Sequence, residues 1–472
     1  MKTKCRPTTY EFQPCGKRKV EGSFDGGSIT SDGGALLVKE TEEKFKIISR
    51  FAECFTDHRN PEQIEHTVEH LTSQRVNGLI LGYEDLNDHD ELRKDVLLAT
   101  VVGKKDPTGI DRSRKRDRGA PLAGKSTLNR MELTPANADS SHRYKKIVLN
   151  EDAADELLVK LFIEHQSEAP KKIILDADAT DDPLHGDQEG KFFHGYYKKY
   201  CYMPLYIFCG DFLLCARLRP SDIDAASGTV AELERIVPMI RAEWKDVQII
   251  LRGDSGFCRE EIMSWCEGNN IDYCLGLAKN NRLKEEIVEE MEEAMLIHDE
   301  TGLASRVFKD FRYQTLKSWS RERRVVGKAE YLDKGANPRF VVTSLSREDI
   351  DARALYEESY CARGEMENRI KEQQLYLFAD RTSTAFIRSN QLRLYFSSIA
   401  YVLTNAVRHF ALKGTPMARA QCHTIRLKIF KIGAQVRISV RRIMVSMASG
   451  YPYESIFNAA YKNLCAIRPI KI

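Results

Sequence analysis

The sequence predicts a mixed α/β sheet protein, with a helical region ahead of the sheet and a β-rich insertion within it. Three observations predict this. Apolar residues recur at helical spacing through much of residues 30–165; from Lys171 onward short β-branched and aromatic runs alternate with amphipathic helices; and about Thr301 to Ser346 the pattern reverts to two-residue alternation. The 472 residues are 42% hydrophobic and 30% charged, which excludes a disordered chain or a small disulfide scaffold and suits several cored units.

The elements follow in order. GGALLVKETEEKFKIISRFAECF and PEQIEHTVEHLTSQRVNGLILGYEDL carry the helical period, and GKKDPTGIDRSRKRDR (103–118) reads as an exposed basic loop. KKIILDADATDD opens the sheet, and CYMPLYIFCGDFLLCARL is a hairpin turning at Gly210-Asp211. An amphipathic helix (about Ala225–Trp244), the buried strand VQIILRGDSGF, a helix (about Arg259–Gly268) and the strand DYCLGLA complete the pattern. KEEIVEEMEEAMLIHDE is an acidic helix, and the alternating RVFKDFRYQTLKSW, RRVVGKAEYL and RFVVTSLS form the insertion. Helix returns at Arg353 and again from about Asn390 to Leu412, and TIRLKIFKIGAQVRISVRRIMV reads as a strand pair turning at Gly433. The expected units are 1–165 (helical), 166–283 (first part of the core), 284–350 (acidic helix and insertion), 351–412 (second part of the core) and 413–472 (basic C-terminal region).

The net charge of +3 conceals a strong imbalance. From Arg381 to Tyr453 there is no Asp or Glu but 12 Lys and Arg, whereas residues 1–380 hold 57 bases against 68 acids. A basic tract on an acidic body points to a polyanionic partner, nucleic acid above all. The 12 cysteines include no CxxC pair, so zinc-ribbon spacing is absent and the expectation is reduced, buried thiols in the cytosol. No apolar h-region opens the chain, and the longest uncharged apolar stretch, Leu394–Val407, is too short for a membrane span.

Four constellations bear on chemistry. GAPLAGKS (119–126) matches the phosphate-loop pattern GxxxxGK[ST], yet it follows DRSRKRDR and not a hydrophobic strand; a helix start there, with Lys125 and Arg130 on a surface facing DNA, is the preferred reading. In IILDADATDD, Asp176 and Asp178 fall two apart and face the same side of a strand end. Asp254 repeats that placement after VQIILRG, so two carboxylates at neighbouring strand ends make a candidate Mg²⁺ site. Tyr360, Arg363, Glu367 and Lys371 are spaced to share one helical face, a face that excludes Glu365 as a partner of Glu367.

Together Asp178, Asp254 and Glu367 resemble the catalytic triad of the DDE transposases of bacterial insertion sequences. Tyr360-x2-Arg363-x3-Glu367 is similar to the signature Y-(2)-R-(3)-E-(6)-K of one large cut-and-paste subgroup, although the lysine position is Gln374 and the nearest base on that face is Lys371. The segments DGGALLVKE, GYEDLNDHDELR, LDADATDDPLHG, FFHGYYKKYCYMPL, RGDSGFCR and YCARGEMENRIKEQQ resemble one family of these enzymes over nearly the whole chain.

The resemblance implies a ribonuclease-H-like core with a β-rich insertion between the second Asp and the Glu, preceded by a DNA-binding helical domain. It implies two divalent ions, Mg²⁺ or Mn²⁺, held by Asp178, Asp254 and Glu367, with Asp176 as the alternative first ligand. The activity would be cleavage at element ends and strand transfer into target DNA. Tyr360, Arg363 and Lys371 would contact phosphates, and Trp319 would stack on a flipped base of a hairpin intermediate. Arg426, Lys428 and Lys431 of the basic tract would track the DNA backbone. The partners would be terminal-repeat and target DNA, bridged by a homodimer in the bacterial cytoplasm, at the nucleoid when bound. The rival reading is a catalytically inactive, element-derived DNA-binding protein.

Overall fold

A computed structural model describes residues 8–468. Its centre is a nine-stranded mixed sheet. In chain order its eight main strands are β1 (Lys172–Ala179), β2 (Leu205–Cys209), β3 (Phe212–Arg217), β4 (Gln248–Gly253), β5 (Asp272–Leu277), β6 (Ser305–Tyr313), β7 (Arg323–Leu332) and β8 (Arg339–Thr343), and in space they run β3-β2-β1-β4-β5-β8-β7-β6. β1, β2 and β3 are antiparallel, β1, β4 and β5 are parallel, and β8, β7 and β6 continue the sheet antiparallel.

The three insertion strands therefore lengthen the central sheet and build no separate sheet of their own. β8 pairs with β5 from Cys274↔Thr343 to Leu277↔Phe340 and satisfies an edge that would otherwise expose its backbone donors and acceptors. Alternation along β1 explains which face meets what. Ile173, Leu175 and Ala177 enter the same core as Leu233, Ile236 and Ile240, whereas Ile174, Asp176 and Asp178 belong to the opposite face.

The main helices are α1 (Ala35–Phe45), α2 (Ile47–Glu53), α3 (Val68–Leu81), α4 (Lys125–Glu132), α5 (Glu151–Glu164), α6 (Thr229–Glu243), α7 (Glu260–Gly268), α8 (Val288–Thr301), α9 (Gly364–Lys371), α10 (Ile387–Ala406) and α11 (Glu454–Ala466). α6 and α7 pack with the Ile173 face of the sheet. α10 is buried along almost its whole length, and Leu394, Phe396 and Leu403 share a core with Leu37, Phe51, Leu71 and Leu79 of α1–α3. The helical region before residue 165 is thus built around a helix from beyond residue 386.

The C-terminal region departs from expectation. Residues 422–430 are helical, and the strands are β9 (Ala434–Ile438) and β10 (Ile443–Met447), turning at Val440-Arg441 and not at Gly433. IRLKIF satisfies a period of two, but burying Cys422, Ile425 and Ile429 along one side satisfies the helical period, and the packed core selects the helix. All eleven described cysteines are free thiols. Among the described residues no helix is long and apolar enough to cross a membrane.

Candidate active site

β1 and β4 are parallel neighbours, with Gly253 opposite Ala177. Asp178 and Asp254 each lie one residue beyond that pair, so the register that buries both strands sets the two carboxylates side by side. The Asp254 carboxylate folds back onto the Gly256 N–H at 2.8 Å, which anchors the turn leaving β4. Glu367 arrives from α9 across the cleft, and its side chain stays largely exposed at 61%.

Asp178, Asp254, Arg363, Glu367, Lys371 and Gln374 all line one cleft of about 690 Å³. Arg363 donates to Asp178 Oδ2 at 3.2 Å and to Glu367 Oε1 at 3.0 Å, bridging the two acids. Burial pushes the Asp178 carboxyl up to about 6; Arg363 opposes that rise, and the nearby Asp254 and Glu367 charges add to it. Among the described residues no three His, Cys, Asp or Glu side chains stand close enough together to hold one ion. The donors nonetheless suit a hard divalent cation, because three carboxylates share the cleft and the Asp254 and Glu367 charges add to the burial that raises Asp178.

The helix bearing Glu367 is not uniform. It runs through a π segment (Leu355–Tyr360), a 3₁₀ turn (Cys361–Arg363), α9, and a second π segment (Glu372–Tyr376). Arg363, Glu367 and Lys371 line the cleft, whereas Tyr360 does not. Its hydroxyl points into the space beside Gly276, where a Cβ would lie 2.5 Å from Tyr360 Oη and 2.9 Å from the Ser255 nitrogen. Gly276→Ala is therefore expected to destabilise the fold by about 1–3 kcal/mol through overpacking, measured as a lower urea midpoint. A midpoint equal to that of the parent would refute this packing argument.

The other candidates separate. Asp176 is buried and paired with Arg252, whose Nη2 donates to Oδ2 at 2.7 Å and whose Nη1 donates to the Ser359 carbonyl at 2.5 Å. That clasp ties the Tyr360 segment to the sheet and leaves Asp176 outside the cleft lining. Glu365 lines a different hollow, together with Asp176 and Arg252. Trp319 is buried in the insertion, edge-on to Tyr313 at 5.8 Å, with the Arg323 guanidinium 5.5 Å from its ring centre; it presents no free face for a base.

The basic-tract candidates also belong to the body of the protein. Arg426 donates to the Leu79 and Ile80 carbonyls at 3.0 and 2.7 Å, capping the end of α3, and Lys431 pairs with Asp32 at 2.6 Å. Lys428 lies over the Tyr453 ring at 5.3 Å. Arg426 and Lys431 thus each have internal acceptors within the protein. At GAPLAGKS, Asp90 accepts from the Lys125 N–H at 3.2 Å and pairs with its ammonium at 3.3 Å. A carboxylate thus stands at the start of α4, where a nucleotide phosphate would have to sit.

The reading from sequence missed one part of the cleft. The hairpin of Phe192–His194 and Lys199–Tyr202 brings His194, Tyr196 and Tyr197 to the cleft wall. Burial, with the Asp181 and Asp178 charges, pushes the Tyr197 phenol up to about 12, so it remains a hydrogen-bond donor at neutral pH. The aromatic run FFHGYYKKY was the available signal.

A mixed sheet with acids beside each other at parallel strand ends and a third acid on a helix opposite defines a candidate carboxylate-centred site. The chain matches the family described as Transposase DDE domain group 1 over residues 12–469, and it belongs to that family of DDE transposases. Membership makes DNA its substrate and places it among enzymes that generally use divalent metal ions. No curated protein matches the chain.

Proposed function

We propose that the protein cleaves DNA at the ends of an insertion sequence in a metal-dependent reaction and joins those ends to target DNA. The observation that carries this reading is the convergence of Asp178, Asp254 and Glu367 on one cleft, with Arg363 and Lys371 on the same wall. We read the sheet segment β3-β2-β1-β4-β5 as a ribonuclease-H-like core, because it joins three antiparallel strands to two further parallel ones in that spatial order. Tyr360, Arg363 and Glu367 supply the subgroup signature, with Lys371 taking the place of the lysine at the Gln374 position.

Asp178, Asp254 and Glu367 would hold the divalent ions, Mg²⁺ or Mn²⁺; Asp178 is preferred to Asp176, which Arg252 already neutralises. When bound, such ions neutralise phosphoryl charge and activate an oxygen nucleophile. The residues do the rest. Arg363 and Lys371 balance phosphate charge beside the scissile bond, and Tyr360 wedges the Arg363 segment against the end of β5. Two protomers would bridge paired ends in the bacterial cytoplasm. The test is cleavage of the DNA flanking the reading frame, with and without Mg²⁺; no Mg²⁺-dependent cut at either flank would sink the proposal.

Asp178 adds a pH dependence. Below about pH 6 it is a neutral acid in the metal-free protein, so Mg²⁺ affinity is expected to fall as pH drops through that value, by up to about tenfold per unit for one displaced proton. The effect on metal-free stability has the opposite sign. Between the unfolded value of 3.8 and about 6 the folded state keeps the proton longer, so this group costs stability as pH rises through the window. Calorimetric Mg²⁺ titrations at several pH values measure the first effect, and an affinity independent of pH would exclude Asp178 as a ligand.

A further inference from the structure

Five of the twelve bases in the basic tract are paired with acids inside the molecule. Arg388 pairs with Glu151 at 3.5 Å, Arg393 with Glu132 at 2.8 Å and Lys431 with Asp32 at 2.6 Å, while Arg381 and Arg408 meet Glu84 and Glu372. Of the others, Lys413 and Arg419 are exposed elsewhere, and three arginines stand together. Arg437, Arg441 and Arg442 lie on the β9–β10 hairpin, where all eight residues from 437 to 444 are exposed.

The base of this hairpin is held and its tip is free. Ala434 and Gln435 pair with Thr30 and Ile29 and the Val436 N–H donates to the Ser28 carbonyl at 2.8 Å, but among the described residues no third strand continues beside β9 past Val436. The tip closes by the Ser439 N–H donating to the Arg442 carbonyl at 2.9 Å, which leaves Val440 and Arg441 as the loop. Val440 is 105% exposed, and Ile438, Ile443 and Met444 are exposed behind it. A bare apolar ribbon is an aggregation hazard unless it has a partner, and arginines on both flanks restrict the partner to an anion. A second copy of the same ribbon is disfavoured, because it would set arginines against arginines with no acid on either side.

We propose that residues 437–444 form an arm that enters a DNA groove. Arg441 and Arg442 lie in the minor groove, Arg437 meets a flanking phosphate, and Val440 wedges against a base step and bends the duplex. None of these residues lines the cleft, so the arm grips DNA away from the bond that is cut. The inference rests on DNA being the substrate.

The test uses full-length protein carrying Asp254→Asn, so that binding is read without cleavage, and a fluorescently labelled duplex of the DNA flanking the reading frame. Arg441→Ala with Arg442→Ala should weaken binding and make the slope of log K against log salt shallower by about 1.8, two phosphate-equivalents. Val440→Ser should keep that slope and reduce the bend, measured by energy transfer between dyes on the duplex ends. Both sites are exposed at the hairpin tip, so the fold is not at stake. An unchanged salt slope overturns the arm, and an unchanged bend overturns the wedge. A change in sedimenting mass with DNA binding intact would assign the ribbon to self-association and overturn the proposal. If the parent binds no DNA, the functional reading fails as well; if it binds and the Asp254 enzyme cleaves while the ribbon variants match it, only the arm fails.

Discussion

Asp254→Asn should reduce Mg²⁺-dependent cleavage of element-end DNA by about 10³-fold or more while leaving DNA binding intact. The substitution preserves side-chain shape but replaces a charged oxygen donor with an amide, removing one of three carboxylates from the cleft. Stabilising charge at a phosphoryl centre is worth several kcal/mol, and each 1.36 kcal/mol is tenfold in rate. Binding should hold or tighten slightly, since the protein loses a negative charge facing a polyanion. Lys125→Ala is the informative contrast. It touches only the phosphate-loop look-alike, whose helix start Asp90 already occupies, and should cleave like the parent. Loss of cleavage in Lys125→Ala with Asp254→Asn still active would reverse the assignment of the site.

Glu372→Leu should destabilise the protein by about 3–5 kcal/mol, the cost of leaving the buried Arg408 charge without its carboxylate partner. Glu372 is fully buried five residues beyond Glu367, and its carboxylate accepts from the Arg408 guanidinium, from Arg369 Nη1 at 2.9 Å, and from the Cys422 N–H and thiol at 3.2 and 2.8 Å. One carboxylate therefore joins the helix that carries Glu367 to α10's continuation and to the 422–430 helix. Glu372→Leu with Arg408→Met should cost less than either single change, because no unpaired charge is then left in the core. Urea midpoints of the two single variants and the double variant measure this, and strictly additive losses would refute a coupled pair.

Local features of the candidate site were legible in the sequence because strand and helix periods are local. IILDADA and QIILRG announce buried strands, and an acid at the end of each is visible without any tertiary information. Other features depend on distant partners. The tract from Arg381 reads as a free basic surface until Glu84, Glu132, Glu151 and Asp32, more than 200 residues earlier, are seen to neutralise much of it. Trp319 reads as a stacking aromatic beside KSWSRERR until Tyr313 and Arg323 close over it. The helical spacing from Tyr360 to Lys371 assumes 3.6 residues per turn, and the π and 3₁₀ segments break that assumption just where Arg252 binds the Ser359 carbonyl.

The sequence by itself determined the mixed α/β class, the succession of the central strands along the chain, the three candidate carboxylates and the likeness to DDE transposases, all of which follow from residue type and short-range spacing. Only the tertiary structure decided that Asp178 faces the cleft while Arg252 takes Asp176, that the insertion strands extend the central sheet, and that three of the unspent arginines stand together on the 437–444 ribbon. The physical reason is the same in each case. Ion pairs and sheet edges are satisfied by groups far apart in the chain, and a one-dimensional pattern shows what a residue needs without showing which neighbour supplies it.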